Sequence, residues 1–429
     1  MLIRIVAFIV SLVGAAGGVA HAVDDAPPQT ADGEQQRVPF PVVSNITHVQ
    51  PMTGIVLWSD NPNVDTDAIQ LEFRYCGYDE VVRSDGSYDF SRIESLLDAA
   101  ASRNHQMVLR FYFVYPGKET TVPEFIRGRS DYEETIAKSE GKRTHFCDWG
   151  NDSLQQFTLD FYEKFASTYD KDPRLAYLET GFGLWAEYHI YDGPRKLGVT
   201  FPSKRFQDRF LQRMQTLFRN LPWMVSIDAS DSRYSPIEGN VDLMSLRFGV
   251  FDDSFLCKQH ARENENDWKI LGSDRWKHSP GGGEFSYYTN RDQRNALSAD
   301  GPHGIAFESD ARKFHISFMI GNDQTRYQSM QRIRQAGLST GYRFRVTKAV
   351  RTGSTVELQV RNEGVAPLYR DAFFAIGGQR SGDSLKGLLP GETMTVRLAD
   401  SGRRAAQTLS IECDHILPTQ EIQFAADLR

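Results

Sequence analysis

The segment SRIESLLDAAASRNHQMVLRFYFV, residues 91–114, contains one unit of the pattern that decides the fold. Apolar side chains recur at helical spacing from Ile93 to Ala101, and Ser91 to Glu94 matches a helix-capping box. The apolar run 107–114 is typical of a buried strand. A helix followed by a buried strand indicates a parallel sheet covered by helices.

The same alternation continues on both sides of this segment. We expect barrel strands near residues 53–58, 69–75, 107–114, 175–185, 224–227, 243–251, 281–287 and 314–320. Eight strands with interleaved helices predict a (β/α)8 TIM barrel over residues 46–338, with a doubly wound open sheet as the alternative. No G-x-G-x-x-G motif follows the first strand, which disfavours a dinucleotide-binding version of that alternative.

After residue 338 the hydrophobic pattern changes. Apolar and polar residues alternate in five short segments separated by Gly or Pro turns: 342–350, 355–360, 372–376, 393–398 and 409–413. This pattern predicts a small antiparallel β-sandwich over residues 339–429. The predicted fold class is therefore an α/β barrel followed by a β-sandwich.

The N-terminus has the pattern of an export signal. Arg4 precedes an apolar run, and Ala20-His21-Ala22 matches a signal-peptidase site. We expect residues 1–22 to be removed after Ala22, residues 23–45 to be a flexible leader, and the mature protein to be secreted or periplasmic. No other segment has the pattern of a transmembrane helix.

Composition excludes several classes of partner and cofactor. The chain of 429 residues has a formal net charge of −7, with both signs mixed throughout, so nucleic acid is not an expected partner. No metal or cofactor motif occurs, and we expect neither. The four cysteines predict either buried thiols or one structural disulfide, with Cys76 and Cys147 the first pair to consider.

Two glutamates at predicted strand ends are the candidate catalytic residues. Glu187 follows the fourth strand and Glu284 lies in the seventh, and catalytic groups of TIM barrels lie at the C-terminal ends of strands. Two carboxyls in one pocket can hydrolyse a glycosidic bond, one as acid and one as nucleophile or base. We expect Glu187 to be the acid beside Trp185, and Glu284 to be kept ionised by Arg74.

Other residues are candidates for binding the substrate. Indole rings stack on the C–H faces of sugars, and polar side chains at strand ends orient ligands. The candidates are Arg74, Trp185, His189, Asp253, Trp276 and His315. Each also has a structural alternative: the histidines as core residues, Asp253 and Asp252 as helix caps, and Arg74 as the partner of Glu187 in an ion pair.

Several motifs together resemble an uncharacterised bacterial family, domain of unknown function 4832 with its usual N-terminal partner domain, grouped with the TIM-barrel glycoside hydrolases. The motifs are GSYDF (86–90), LRFYFVYPG (109–117), GLWAEYH (183–189), FDDSFL (251–256), GGE (282–284) and VRNEGVAPLY (360–369). The resemblance implies a barrel, an appended β-sandwich and action on carbohydrate. The wider clan of retaining glycosidases is similar in its acid/base, nucleophile and arginine, which correspond to Glu187, Glu284 and Arg74. That clan usually has Asn before the acid/base, where this chain has Ala186.

The sequence thus predicts an exported glycoside hydrolase with a retaining mechanism, acting on an oligosaccharide or polysaccharide. Ala186 favours an alternative, a non-catalytic glycan-binding or cell-surface protein on a degenerate barrel. A third hypothesis is another carbohydrate reaction on the same scaffold, such as elimination.

Overall fold

Nineteen strands and ten helices form the part of the protein that the computed structural model describes, residues 36–400 and 409–429. The strands are β1 (Arg37–Pro39), β2 (Val42–Ser44), β3 (Gly54–Trp58), β4 (Leu71–Gly77), β5 (Gln106–Tyr112), β6 (Thr135–Ser139), β7 (Lys142–Phe146), β8 (Leu175–Glu179), β9 (Trp223–Ser226), β10 (Gly249–Phe255), β11 (Gly281–Phe285), β12 (Phe318–Ile320), β13 (Phe344–Thr352), β14 (Thr355–Asn362), β15 (Ala372–Ile376), β16 (Gln379–Ser384), β17 (Thr393–Ala399), β18 (Leu409–Cys413) and β19 (Phe424–Leu428).

The helices lie mostly between the first twelve strands. They are α1 (Ser91–Ser102), α2 (Glu124–Arg127), α3 (Asp152–Tyr169), α4 (Lys204–Leu217), α5 (Val241–Met244), α6 (Ala261–Gly272), α7 (Asn290–Asn295), α8 (Phe307–Lys313), α9 (Gln324–Tyr327) and α10 (Met330–Gly337). Short 3-10 helices cover Tyr78–Glu80, Ile227–Ser230 and Arg275–Lys277. The predicted signal peptide, residues 1–22, lies outside the described residues.

Eight of the strands close into a barrel, in the order β3-β4-β5-β8-β9-β10-β11-β12 and back to β3. Every neighbouring pair in this ring is parallel. Apolar side chains form large buried clusters in the barrel interior and in the layer between strands and helices, as expected where a parallel sheet is covered by helices. The predicted (β/α)8 barrel is therefore confirmed.

Three local predictions in the barrel were wrong. The capping box does not form, because α1 begins at Ser91 itself and the Ser91 N–H donates to the Asp89 carboxylate at 3.0 Å. The strand predicted over 243–251 overlaps helix α5 and begins only at Gly249. The strand predicted over 175–185 ends at Glu179, and the following residues turn back on themselves.

Two further sheets form the predicted β-sandwich. One has the order β17-β14-β13-β19-β2, with β1 also paired to β13, and the other has the order β16-β15-β18. Apolar side chains of both sheets, such as Val396 and Phe374, belong to one buried cluster. The pairs are antiparallel except β13 with β19. Strands β1 and β2 come from the predicted leader, so that leader does not extend to residue 45.

The sandwich covers the N-terminal end of the barrel. The buried Arg370 guanidinium donates from Nη2 to the carbonyls of Leu175 and Ala176, at 2.7 and 3.1 Å, where β8 begins. Tyr342 Oη donates to the carbonyl of Pro51 at 3.1 Å, just before β3. Barrel and sandwich lie in one compact unit, Arg37–Arg429, and the boundary at residue 338 stays a prediction.

The described residues also answer two questions that the composition left open. All four cysteines are free thiols, and Cys76, Cys147 and Cys257 are buried, so the disulfide alternative does not hold. Among the described helices, none combines the length and the apolar character that a membrane span requires.

Candidate active site at the C-terminal end of the barrel

A buried arginine inside the barrel organises the site. Arg110 lies on β5 with no exposed side-chain surface, and its Nε and Nη2 lie 2.7 Å from Glu179 Oε2. Its Nη1 lies 3.1 Å from Glu187 Oε1, and its guanidinium stands 4.3 Å from the ring centroid of Phe251. Burial raises the pKa of Glu179, whereas Arg110 favours its ionised form. Arg110 and Glu179 thus form a buried ion pair beneath Glu187.

A tight turn after β8 places Glu187 over this ion pair. Trp185 and Ala186 both have left-handed backbone angles, with φ of 55° and 60°. A Cβ on Gly181 would lie 2.1 Å from the Ala186 carbonyl oxygen, and one on Gly183 would lie 1.9 Å from that of His189. Such backbone strain is typical of functional sites. Ala186 therefore occupies a strained turn, not the end of a strand.

Glu187 is almost completely enclosed. Its side chain is 2% exposed, and its Oε1 accepts a hydrogen bond from Arg110. Burial, and then the neighbouring Asp253 carboxyl, hold the pKa of Glu187 well above its usual range, and the opposing effect of Arg110 is smaller. Burial and Asp253 thus favour the protonated form of Glu187, and Arg110 favours its ionised form.

His189 joins Glu187 to a further carboxylate. Its Nδ1 lies 3.3 Å from Glu187 Oε2 and 3.2 Å from Asp228 Oδ2, and Ser226 Oγ donates to the same Asp228 oxygen at 2.7 Å. Burial lowers the pKa of His189, but Asp228 more than offsets this and the net shift is upward. Burial likewise raises the pKa of Asp228, and His189 reverses the shift to below its usual value. The two groups thus favour a charged imidazolium–carboxylate pair.

Glu284 enters the cluster from β11, after three glycines. A Cβ on Gly283 would lie 2.0 Å from the carbonyl oxygen of Asp252, so only glycine allows β11 to lie this close to β10. Burial raises the pKa of Glu284 to about 8; Arg110 opposes the shift, and Asp253 adds to it. Glu284 is therefore protonated at neutral pH, unlike the ionised nucleophile that the sequence suggested.

The two aspartates of β10 face different environments. Asp253 is partly exposed and perturbs both Glu187 and Glu284, so it lies among the site carboxyls. Asp252 is buried and accepts hydrogen bonds from the Ser254 N–H at 2.9 Å and from Asn264 Nδ2 at 3.1 and 3.0 Å. Burial, followed by Asp253, raises the pKa of Asp252 to about 7.

Three of the predicted binding residues lie outside this cluster. Arg74 lies on β4 between Phe73 and Tyr75, which face Arg110, and its own Nη1 reaches Asp60 at 2.8 Å. Trp276 and His315 stack with ring centroids 3.5 Å apart, beside the first residues of β11, at the end of the barrel nearer the sandwich. His315 Nδ1 lies 2.6 Å from the carbonyl oxygen of Val365.

The cluster contains five residues predicted from the sequence and three that were not predicted. The predicted ones are Glu187, Glu284, Trp185, His189 and Asp253, and the others are Arg110, Glu179 and Asp228. The sequence does contain one indication of Arg110 and Glu179: each is a charged residue within an apolar strand. Such a residue is rarely buried unless it has a partner of opposite charge. Asp228 follows the end of β9, where a barrel places functional groups. Aromatic rings border the cluster: Tyr75 Oη accepts from Arg110 Nη1 at 3.1 Å, and the Tyr115 ring is 6.2 Å from that of Trp185.

Three donors of the cluster could also hold a divalent cation. Glu187, His189 and Asp228 each offer one ligand atom, and these atoms lie within 4.8 Å of one another. One imidazole and two carboxylates are suitable ligands for zinc or manganese.

The fold and the site together define a (β/α)8-barrel protein with a carboxylate cluster at the C-terminal end of its strands. No protein-family model matches the chain, so the resemblance to domain of unknown function 4832 stays a prediction, and no curated protein matches it either.

Solved structures similar to this chain include a variant of the GH36 alpha-galactosidase AgaA from Geobacillus stearothermophilus in complex with stachyose: 12% identity, TM-score 0.39, covering 80% of this chain and 55% of that one. Alpha-galactosidase TtGalA from Thermus thermophilus matches at 13% identity and TM-score 0.40, over 73% of this chain and 67% of that one. A GH30 endoxylanase from Clostridium papyrosolvens matches at 10% identity and TM-score 0.39, over 83% of this chain and 96% of that one. The chain spans about 55% of the length of the first of these.

Proposed function

We propose that the protein hydrolyses O-glycosidic bonds. The proposal is carried by one observation: at the C-terminal end of the barrel, the carboxyls of Glu187, Asp253 and Glu284 lie together beside the buried Arg110, and burial raises the pKa of Glu284 to about 8. An acid that keeps its proton at neutral pH can donate it to a leaving alcohol, and a second carboxylate can then attack the anomeric carbon or activate water.

The roles follow from exposure and charge. Glu284 is the general acid, which protonates the glycosidic oxygen. Asp253 is partly exposed at the end of the sixth barrel strand and is the nucleophile or base. Glu187, predicted from the sequence to be the acid, is 2% exposed, too enclosed to reach a sugar, and acts as a positioning residue between Arg110 and Asp253. The buried ion pair of Arg110 and Glu179 lies next to these three carboxyl groups.

We propose retention of configuration at the anomeric carbon, as the sequence analysis favoured. Asp253 adds to the raised pKa of Glu284, so the two carboxyls lie within range of each other's charge. Retaining enzymes hold their two carboxyls about 5–5.5 Å apart, and inverting enzymes hold them roughly 6.5–9.5 Å apart. Proton NMR of the first-formed product tests this: a product of inverted configuration excludes Asp253 as a nucleophile.

Substitution of the two carboxyls tests the whole proposal. Glu284→Gln and Asp253→Asn are assayed on aryl glycosides and on a panel of polysaccharides by release of reducing ends. Each should lose at least about 1,000-fold in kcat/KM, whereas Asp60→Asn, at an exposed carboxyl outside the cluster, should keep wild-type activity. If the wild type releases no sugar from any substrate, or if either variant keeps its activity, the proposal fails.

We also propose that the protein is exported. The support is the signal pattern of residues 1–22, which precedes the described residues. N-terminal sequencing of the protein from a culture of the native host should give Val23 as the first residue. Retention of Met1 on the mature protein would contradict export by this route.

A further inference from the structure

An exposed aromatic ring continues outward from the carboxylate cluster. Tyr191 is 59% exposed, and its ring lies nearly parallel to that of Trp185, with an interplanar angle of 12° and centroids 5.8 Å apart. The same ring lies 5.6 Å from the imidazole of His189, which contacts Glu187. His189, Trp185 and Tyr191 therefore form a continuous surface that begins at the cluster and ends in solvent.

A hairpin holds this exposed ring in place. Tyr191 Oη donates to Glu140 Oε1 at 2.7 Å, and the Glu140 N–H donates to Asp192 Oδ2 at 2.6 Å. Glu140 lies in the turn between β6 and β7 with a left-handed φ of 51°. An exposed tyrosine that is ordered before a ligand arrives loses less entropy on binding than a mobile one.

The chemistry of this surface suits a sugar ring. A pyranose presents a face of C–H bonds, which packs on an aromatic face, while its hydroxyls need hydrogen-bonding groups at the edge. Tyr191 supplies the face, and Glu140 and Asp192 supply carboxylate oxygens close by. Since the surface is continuous with the cluster, one glycan chain could occupy both.

The charge around the cluster restricts the glycan further. The buried Arg110 is already paired with Glu179, and His189 with Asp228, whereas the Asp253 carboxyl is partly exposed beside Glu284. A carboxylate or sulfate group on a sugar would meet the Asp253 carboxyl there, and neither Arg110 nor His189 is unpaired to balance it.

We propose that Trp185 and Tyr191 bind a second sugar unit of an uncharged glycan chain, so that the ligand is a neutral oligosaccharide or polysaccharide. The inference rests on the proposed function, because it takes the carboxylate cluster as the place where the chain is cut.

Affinity electrophoresis of the full chain tests the inference. The probes are neutral polysaccharides (laminarin, xylan, galactomannan and arabinogalactan) and anionic ones (polygalacturonate and alginate), each cast in a gel, with Glu284→Gln as the background to prevent cleavage. At least one neutral polymer should retard the protein. Adding Tyr191→Ala should weaken that binding about tenfold, a loss of the size expected for one aromatic contact. Adding Tyr191→Phe, which keeps the ring, should change it less than about threefold, the size of one exposed hydrogen bond.

The outcomes separate this inference from the proposed function. Binding of a neutral polymer that depends on the Tyr191 ring, without cleavage by the wild type, supports the inference and refutes the hydrolase. Cleavage without any effect of Tyr191→Ala on polymer binding refutes the inference alone. Tighter binding of the polyuronates, or no binding of any neutral polymer, also overturns it.

Discussion

Replacing Glu284 by Gln should stabilise the protein relative to the wild type, and this gain should be larger at pH 8 than near pH 4. Burial raises the pKa of Glu284 to about 8, whereas its ordinary value is 4.5. Below pH 4.5 the carboxyl is protonated in both the folded and the unfolded chain, and burial then carries no penalty for charge. Between 4.5 and 8 only the unfolded chain loses the proton, so the free energy of unfolding falls as the pH rises.

The size of the effect follows from the shift. A difference of about 3.5 pKa units, at 1.36 kcal/mol per unit, corresponds to a penalty on the order of 5 kcal/mol that is complete near pH 8. Gln has nearly the same shape and cannot ionise, so the variant escapes this penalty. The measured gain in unfolding free energy at pH 8 should therefore be several kcal/mol. Any loss of hydrogen bonding by the amide is subtracted from this gain.

Urea denaturation of wild type and Glu284→Gln at pH 4, 5, 6, 7 and 8 gives the measurement. The difference in unfolding free energy between the two proteins should grow across this range by at least about 2 kcal/mol. Glu238→Gln, at an exposed site, is the control and should give a difference that does not depend on pH. A pH-independent difference for Glu284→Gln would show that this carboxyl is ionised in the folded protein and would remove it as the acid.

Three further predictions concern activity, the turn and the sandwich. The value of kcat/KM should fall as the pH rises through about 8, because Glu284 must be protonated to act; a profile that rises there would make it the nucleophile instead. Ala186→Gly should raise the unfolding free energy by about 1 kcal/mol, since φ is 60° at that position, whereas Ala186→Val should lower it; equal stabilities by urea denaturation would contradict the strain. Arg370→Ala should lower the unfolding free energy by roughly 3 kcal/mol, because it leaves two buried barrel carbonyls unpaired; a loss below about 1 kcal/mol would show that the sandwich does not depend on this contact.

The architecture could be predicted because hydrophobic periodicity records which faces of an element are buried. Helices α1, α3 and α4 each bury an apolar stripe, and strands such as β5 are apolar throughout most of their length. The short strands β1 and β2 could not be predicted, since each pairs with a strand about 300 residues or more away and only three residues define each. Local sequence contains no information on such pairing.

The site was harder to predict, for a related reason. In a parallel barrel both faces of a strand are buried, so period-two alternation does not show which residues face inward. Arg74 and Arg110 look alike in the sequence, yet Arg74 pairs with Asp60 outside the cluster and Arg110 stands inside the barrel. The position of Glu187 depends on a strained turn at Trp185 and Ala186, and the secondary-structure propensities of these residues do not predict such a turn.

The contact of Arg370 with the start of β8 makes the two ends of the barrel different. The β-sandwich covers one end of the barrel, and the carboxylates lie at the other. The turn at Gly377 and Gly378, between β15 and β16, belongs to the closed half. A surface, a fluorescent label or a fused domain attached there would leave the carboxylate cluster facing away from the attachment, so the sandwich is a suitable place for immobilising this protein without covering the cluster.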